Sequence, residues 1–172
     1  MKYVAVFAAV FFLAVLGVSA MPYVKVLGVT PDLVLIFAAC WAMVRGQREA
    51  LVVVPLAGLM RDLTTSDPLG TSVLALSPIV LLAAIRELQA IESGLVPALV
   101  VVGIGSLSYG LLSMTVLAAT GQEMPWVDGL LWVVLPAAVV NALFAPVLYL
   151  PVRWLSPTSR PGAVGLGRTI LS

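Results

Sequence analysis

The sequence predicts an all-α, polytopic integral membrane protein of about six transmembrane helices, and three observations predict it. Of 172 residues, 62% are hydrophobic and only 10% are charged, where a soluble domain carries about 25% charge. So little polar surface cannot cover a water-soluble globule, and the mean hydropathy of +1.14 points to lipid as the solvent. The apolar runs are also continuous, whereas a membrane β-barrel alternates apolar and polar residues at every second position. Finally, the runs are separated by charges and by helix-start signals.

The first run extends from Tyr3 to Val24. Lys2, the apolar stretch and Val18-Ser19-Ala20 resemble a secretory signal with its cleavage site. The stretch is long enough to span, however, so it is expected to be retained as a helix. The second run starts at Thr30-Pro31-Asp32, where Thr30 can cap, Pro31 suits the first helical position and Asp32 favours the positive helix end. It reaches about Val44 and is followed by a polar turn, Arg45-Gly46-Gln47-Arg48-Glu49. The third run goes from about Ala50 into the stretch GLMRDLTTSDPLG, Gly58 to Gly70. The fourth starts at Asp67-Pro68, another cap-then-proline pair, and ends near Ile85. The fifth covers about Ser93 to Thr120, and the sixth runs from about Pro125 to Trp154. The second and third runs are short enough to form a re-entrant hairpin. That would place Arg45, Arg48 and Glu49 near mid-bilayer at roughly +2.5 to +3.5 kcal/mol each, so two crossings are expected instead.

Basic residues set the orientation. Six crossings that start inside put Lys2, Arg45, Arg48, Arg86, Arg153, Arg160 and Arg168 in the cytoplasm and leave only Lys25 and Arg61 outside. Tyr3, Trp41 and Trp154 fall at inner ends, and Tyr23 and Trp126 at outer ends, as interface anchors do. The expected organisation is a six-helix transmembrane domain over residues 1–155 and a loose cytoplasmic tail over 156–172, rich in Pro, Gly and Ser.

Several function classes lose their chemistry at this stage. The chain has no histidine, one cysteine (Cys40, within an apolar run) and a net charge of +1. Catalytic sets built on histidine, nucleic-acid binding and an internal disulfide are therefore not expected, and neither is a metal or cofactor site. Attention falls on GLMRDLTTSDPLG. Arg61 and Asp62 are adjacent on a helix, about 100° apart, and do not face each other. Asp62 lies on the face of Gly58, which permits a close neighbour. An acid at a helix C-terminus opposes the dipole and needs a partner: water, a loop amide or a cation elsewhere. The stretch reads either as a capped outer turn, with Asp67 as the cap, or as a binding surface anchored by Asp62. On the second reading, Asp62→Ala disturbs partner assembly more than Asp67→Ala. Elsewhere, Gly103, Ser106, Gly110 and Ser113 form a stripe of small residues that suits close helix packing. Tyr109 lies off that stripe and its hydroxyl needs an acceptor. Asn141, in the middle of the last run, either pairs with a neighbouring helix or lines a polar site.

Three places in the chain resemble the MreD family, small membrane proteins of the bacterial rod-shape and cell-elongation machinery. They are Pro31-Asp32, the group Gly58, Asp62 and Pro68-Leu69-Gly70, and Asn141-Ala142-Leu143 with Pro146, Tyr149 and Arg153. The resemblance covers roughly Gly28 to Leu155. Thr64-Thr65-Ser66-Asp67 departs from the more glycine-rich turn expected there, and the last run is unusually rich in proline. The resemblance implies a bundle similar to the S components of energy-coupling-factor transporters, in the bacterial inner membrane with both termini cytoplasmic. It implies a non-enzymatic scaffold that binds an MreC-like single-span partner and, indirectly, MreB, RodA and a transpeptidase, and so helps organise peptidoglycan synthesis. Arg61, Asp62, Pro68, Gly70 and Asn141 become the candidate partner-binding or functional-loop residues, with Gly58 and the fifth-run stripe as packing positions. The alternative from the same likeness is a vitamin-binding S component, for which only Arg61, Asp62, Trp126, Asp128 and Asn141 are available as polar or aromatic groups.

Overall fold

The computed structural model describes residues 2–65, 68–88, 94–123 and 125–154. Among these the chain forms six helices and no strand. Helix α1 is Lys2–Ser19, followed by a 3-10 turn at Met21–Tyr23. Helix α2 is Leu33–Arg45, α3 Gln47–Asp62, α4 Thr71–Leu88 and α5 Leu95–Ala119. Helix α6 is Trp126–Trp154, with a π-helical turn at Leu130–Val134. The expected tail over 156–172, and the expected cap Asp67, lie outside the described residues.

Three boundaries differ from the sequence reading. Asp32, not Thr30, is the N-cap of α2: its backbone is extended and its carboxylate accepts from the Leu35 amide at 3.1 Å. The aspartate thus satisfies one of the amides that a helix start leaves without an intrahelical partner, and Pro31 stands before the helix rather than in it. The expected polar turn after α2 shrinks to Gly46 alone, which closes α2 and opens α3. Its φ of +86° is open to glycine at little cost, so Arg45 still belongs to α2 and Gln47 already to α3. Helix α4 starts at Thr71 rather than at Asp67-Pro68, because Gly70 turns the chain at a φ of +96° and the Pro68 carbonyl accepts from both the amide and the hydroxyl of Thr71.

Helix α2 is the centre of the bundle. Every residue from Leu33 to Met43 is buried, and α2 packs on each of the other five helices. A helix that is apolar all round and buried all round is what a central position requires. The outer helices turn apolar side chains outward, including Phe12, Leu81, Val100 and Leu143. The interior is apolar as well, with Asp62, Thr71, Ser72, Ser106 and Asn141 as its buried polar residues. Large apolar side chains thus lie on both sides of the peripheral helices, more of them exposed than a water-soluble domain needs.

Helices α5 and α6 are long and apolar enough to cross a membrane, and only 28% of the most apolar stretch of each is buried, unlike the core helix of a soluble domain. Helices α1, α2 and α4 offer shorter apolar stretches, and α3 carries Arg48, Glu49, Arg61 and Asp62. By length and composition, then, the described residues hold two membrane-length helices rather than six. Helix α2 shows why: its 13 residues reach about 20 Å at about 1.5 Å per residue, against a hydrocarbon core of about 30 Å. Trp41 is also no interface anchor. It is buried against Phe37, with ring centroids 5.6 Å apart, and the Arg45 guanidinium lies 5.7 Å from its ring. Tyr23, Trp126 and Trp154 are exposed.

Candidate functional site

The site is a buried polar junction where five helices meet, and Gly58 makes it possible. A Cβ at Gly58 would sit 2.6 Å from the Cα and 2.8 Å from the amide nitrogen of Val73. Only glycine lets the first turn of α4 lie this close against α3. One turn further along α3, on the same face, Asp62 then meets that first turn. Its carboxylate accepts from the Gly70 amide at 2.7 Å and from the Ser72 amide at 2.9 Å. Asp62 is 2% exposed. The partner that its position demands is therefore a pair of loop and helix amides, and it caps α4 from eight residues upstream. A carboxylate at a helix N-terminus is stabilised by both hydrogen bonds and the dipole.

Arg61 points the other way, as adjacency on a helix dictates. It forms an ion pair with Asp32, and its guanidinium carbon lies 4.6 Å from the Tyr109 ring centroid in a cation–π contact. The Tyr109 hydroxyl is 3.3 Å from the Ser72 hydroxyl, which supplies the partner it needs. The Asp32 amide donates to the Asn141 side-chain oxygen at 2.8 Å, and the Asn141 amide group donates to the Ser106 hydroxyl at 2.8 Å. Asn141 is 2% exposed and stands midway along α6. One chain of contacts thus links the start of α2, the end of α3, the start of α4 and the middles of α5 and α6. Every charge in it has an opposite charge or amide donors, as burial requires.

The junction unites Arg61, Asp62, Gly70, Asn141, Gly58 and Ser106 from the sequence candidates. Pro68 is exposed and contributes only its carbonyl to the start of α4. In the small-residue stripe, Gly110 faces α6, where an added Cβ would come within 2.7 Å of Val134. The Ser113 hydroxyl is buried. Gly103 takes no part in close packing, since a Cβ there would meet nothing within 4 Å. Sequence reasoning gave Asp32 only a helix-end role and missed its pairing with Arg61 and Asn141. The available signal was charge balance, because an apolar chain leaves Arg61 few acids to choose from. A cleft of about 180 Å³ opens beside the Arg61–Asp32 pair, between α1 and the facing ends of α2 and α3. Among the described residues no group of three or more metal-ligating side chains is gathered, and the junction holds no nucleophile–base pair.

The C-terminal part of α5 and the N-terminal part of α6 stand apart from this junction. Tyr109 marks the level of the α3–α4 turn on α5, and α5 continues to Ala119, about 15 Å further at about 1.5 Å per residue. The facing segment of α6 exposes Val127, Leu131, Val133 and Trp132, the last of these 74% exposed.

No protein-family model, curated protein or solved structure matches the chain.

Proposed function

We propose that this chain is a non-enzymatic scaffold of the bacterial cell-elongation machinery, MreD-like, whose six helices lie in the inner membrane with both termini cytoplasmic. One observation carries the reading. The three separated places that resemble MreD meet in a single junction: Asp32 bonds Asn141, and Asp62, on the face opened by Gly58, bonds Gly70. The many exposed apolar side chains of the outer helices support placement in a bilayer. The shortness of α2 is compatible with six crossings, because its polar start is satisfied inside the bundle rather than at the lipid surface. The seven-to-two distribution of basic residues supports termini inside.

In this reading the junction is a positioning device. It fixes the height at which α3 and α4 end and leaves the outer parts of α5 and α6 as an apolar ridge. That ridge is the surface offered to the transmembrane helix of an MreC-like partner, with MreB, RodA and the transpeptidase reached indirectly. The vitamin-capture alternative finds less support: the cleft beside Arg61, at about 180 Å³, is below the roughly 300–1,000 Å³ of small-molecule sites.

Two measurements test the proposal. Cysteines placed at Gln47 and Ser172 in a Cys40→Ala background should both be labelled from the cytoplasmic side only; labelling from opposite sides overturns the six-crossing topology. Trp132→Asp should abolish co-purification with an MreC-like single-span protein while leaving the thermal midpoint unchanged. Unimpaired co-purification removes the ridge from the interface.

A further inference from the structure

The cleft beside the Arg61–Asp32 pair joins two kinds of wall. On one side lie Ala14 and Gly17 of α1, and beside Gly17 the space is open, since a Cβ there would meet nothing within 4 Å. On the other side lie Asp32, Arg61, Thr64 and Thr65, with the exposed Thr30 at the edge. The donors and acceptors of this polar wall are unequally placed. The hydroxyls of Thr64 and Thr65 both spend their protons on the Arg61 carbonyl, at 2.9 and 3.2 Å, so toward the cleft their oxygens can only accept. With the Asp32 carboxylate, whose two oxygens also take the Leu35 amide and Arg61, they make an acceptor cluster, suited to a group with several N–H donors. Arg61 alone carries positive charge here; its guanidinium has five N–H donors, and the pair with Asp32 engages Nη1. The charged lining sums to zero. The cleft therefore suits a compact zwitterion with an ammonium at one end and an anionic oxygen group at the other.

We infer that this cleft binds the phosphoethanolamine head of a membrane phospholipid. The ammonium meets Asp32, Thr64 and Thr65, and the phosphate meets Arg61. The acyl chains then run down the exposed apolar face of α1, where Phe11, Val15 and Val18 are available. The size agrees: about 180 Å³ of water-accessible space is well above the roughly 10–15 Å³ a single water needs, enough for a two-carbon headgroup. The inference rests on the bilayer placement proposed above, but not on the partner or on the elongation role.

The test uses the full chain, delipidated in detergent and then reconstituted in nanodiscs containing phosphatidylethanolamine, phosphatidylcholine or phosphatidylglycerol with identical acyl chains. Native mass spectrometry reads the lipid retained on release. Phosphatidylethanolamine should be retained one-to-one and at least tenfold over both others, with retention falling stepwise as the amine is N-methylated. Gly17→Leu, which fills the open side of the cleft, and Thr65→Val should each reduce retention at least fivefold. Equal retention of the three lipids, or retention unchanged in Gly17→Leu, overturns the inference while leaving the bilayer placement intact. Failure of the chain to enter nanodiscs of any composition overturns the bilayer placement and the inference with it. One-to-one binding of soluble phosphoethanolamine equal to that of the lipid would show a site for a free metabolite and overturn the lipid assignment.

Discussion

Replacing Asp62 with alanine should destabilise the bundle by more than any surface acid can. The carboxylate accepts two backbone amides, Gly70 at 2.7 Å and Ser72 at 2.9 Å. Alanine leaves both donors without a partner. Stranding a buried donor costs about 1–3 kcal/mol. The Ser72 bond is buried and the Gly70 bond only partly so, so the second donor recovers some water and its cost falls toward the lower end. Loss of the negative charge at the start of α4 adds a few tenths to about 1 kcal/mol. The sum is about 2–5 kcal/mol, or roughly 4–20 °C in thermal midpoint at about 2–4 °C per kcal/mol for a chain of this size. Asp62→Asn keeps one acceptor oxygen but turns an N–H group toward the other amide, so it should lose about half as much. Exposed Asp128→Ala is the control, expected to stay within about 0.5 kcal/mol of the parent. Thermal denaturation in detergent, read by monodisperse protein remaining after heating, measures all three. The reasoning fails if Asp62→Ala and Asp128→Ala agree within about 0.5 kcal/mol, because Asp62 would then not be the cap that holds α4 to α3.

Three further outcomes follow from the same geometry. Gly58→Ala must push α4 away from α3, since the new Cβ would lie 2.6 Å from backbone of Val73; it should cost about 1–3 kcal/mol. Gly103→Ala, with open space beside it, should be neutral or gain up to about 1 kcal/mol of helix propensity, and equal effects in the two variants would refute the close-approach argument. Asn141→Leu strands the Asp32 amide and removes the partner of Ser106, so its midpoint should drop by an amount comparable to Asp62→Ala, about 2–5 kcal/mol. A double-mutant cycle of Arg61→Met with Asp32→Asn should give a coupling of about 1–3 kcal/mol. That is less than the 3–5 kcal/mol for breaking a fully buried pair, because the two side chains keep 23% and 14% exposure; a coupling near zero would make the ion pair incidental.

Much of the helix pattern was legible because it is local. The long apolar runs and the polar residues between them place the helices and their breaks to within a few residues, although they put the cap at Thr30 instead of Asp32 and the turn on five residues instead of Gly46 alone. Within the junction, the need was legible and the partner was not. An acid at the C-terminal end of α3 demands a donor, yet the donor amides become identifiable only once Gly70 is known to turn the chain at positive φ. The bond from Asp32 to Asn141 joins positions 109 apart in sequence, and no periodicity in a single chain encodes such a pairing. Trp41 misled for a related reason. A tryptophan near the end of an apolar run is the usual mark of an interface, but α2 is wrapped by every other helix, so that end is covered by protein. Six apolar runs yield only two membrane-length helices among the described residues, because hydropathy measures how apolar a run is and not how long a helix it makes.

Helix α2 also explains how so short a segment can sit at the centre of this bundle. A 13-residue helix exposes up to four amides at its start and four carbonyls at its end, and in lipid each one left unmet costs several kcal/mol. At the start, the Asp32 carboxylate takes the Leu35 amide, the Asp32 amide is met by Asn141, and the charge is balanced by Arg61. At the end, Gly46 donates back to Ala42, and Arg45 forms two contacts of 2.9 Å with Glu49 across the break into α3. The start of α2 is therefore closed by the bundle's own polar groups and does not have to reach a headgroup layer, while its other end passes directly into α3 through Gly46. The length of α2 is then set by the distance from the junction at Asp32 to the break at Gly46 rather than by the thickness of a bilayer. If that is so, inserting one helical turn into α2 should disrupt the Asp32–Asn141 and Arg45–Glu49 closures together, whereas lengthening a helix that ends in lipid would be absorbed by tilt at fractions of a kcal/mol per ångström.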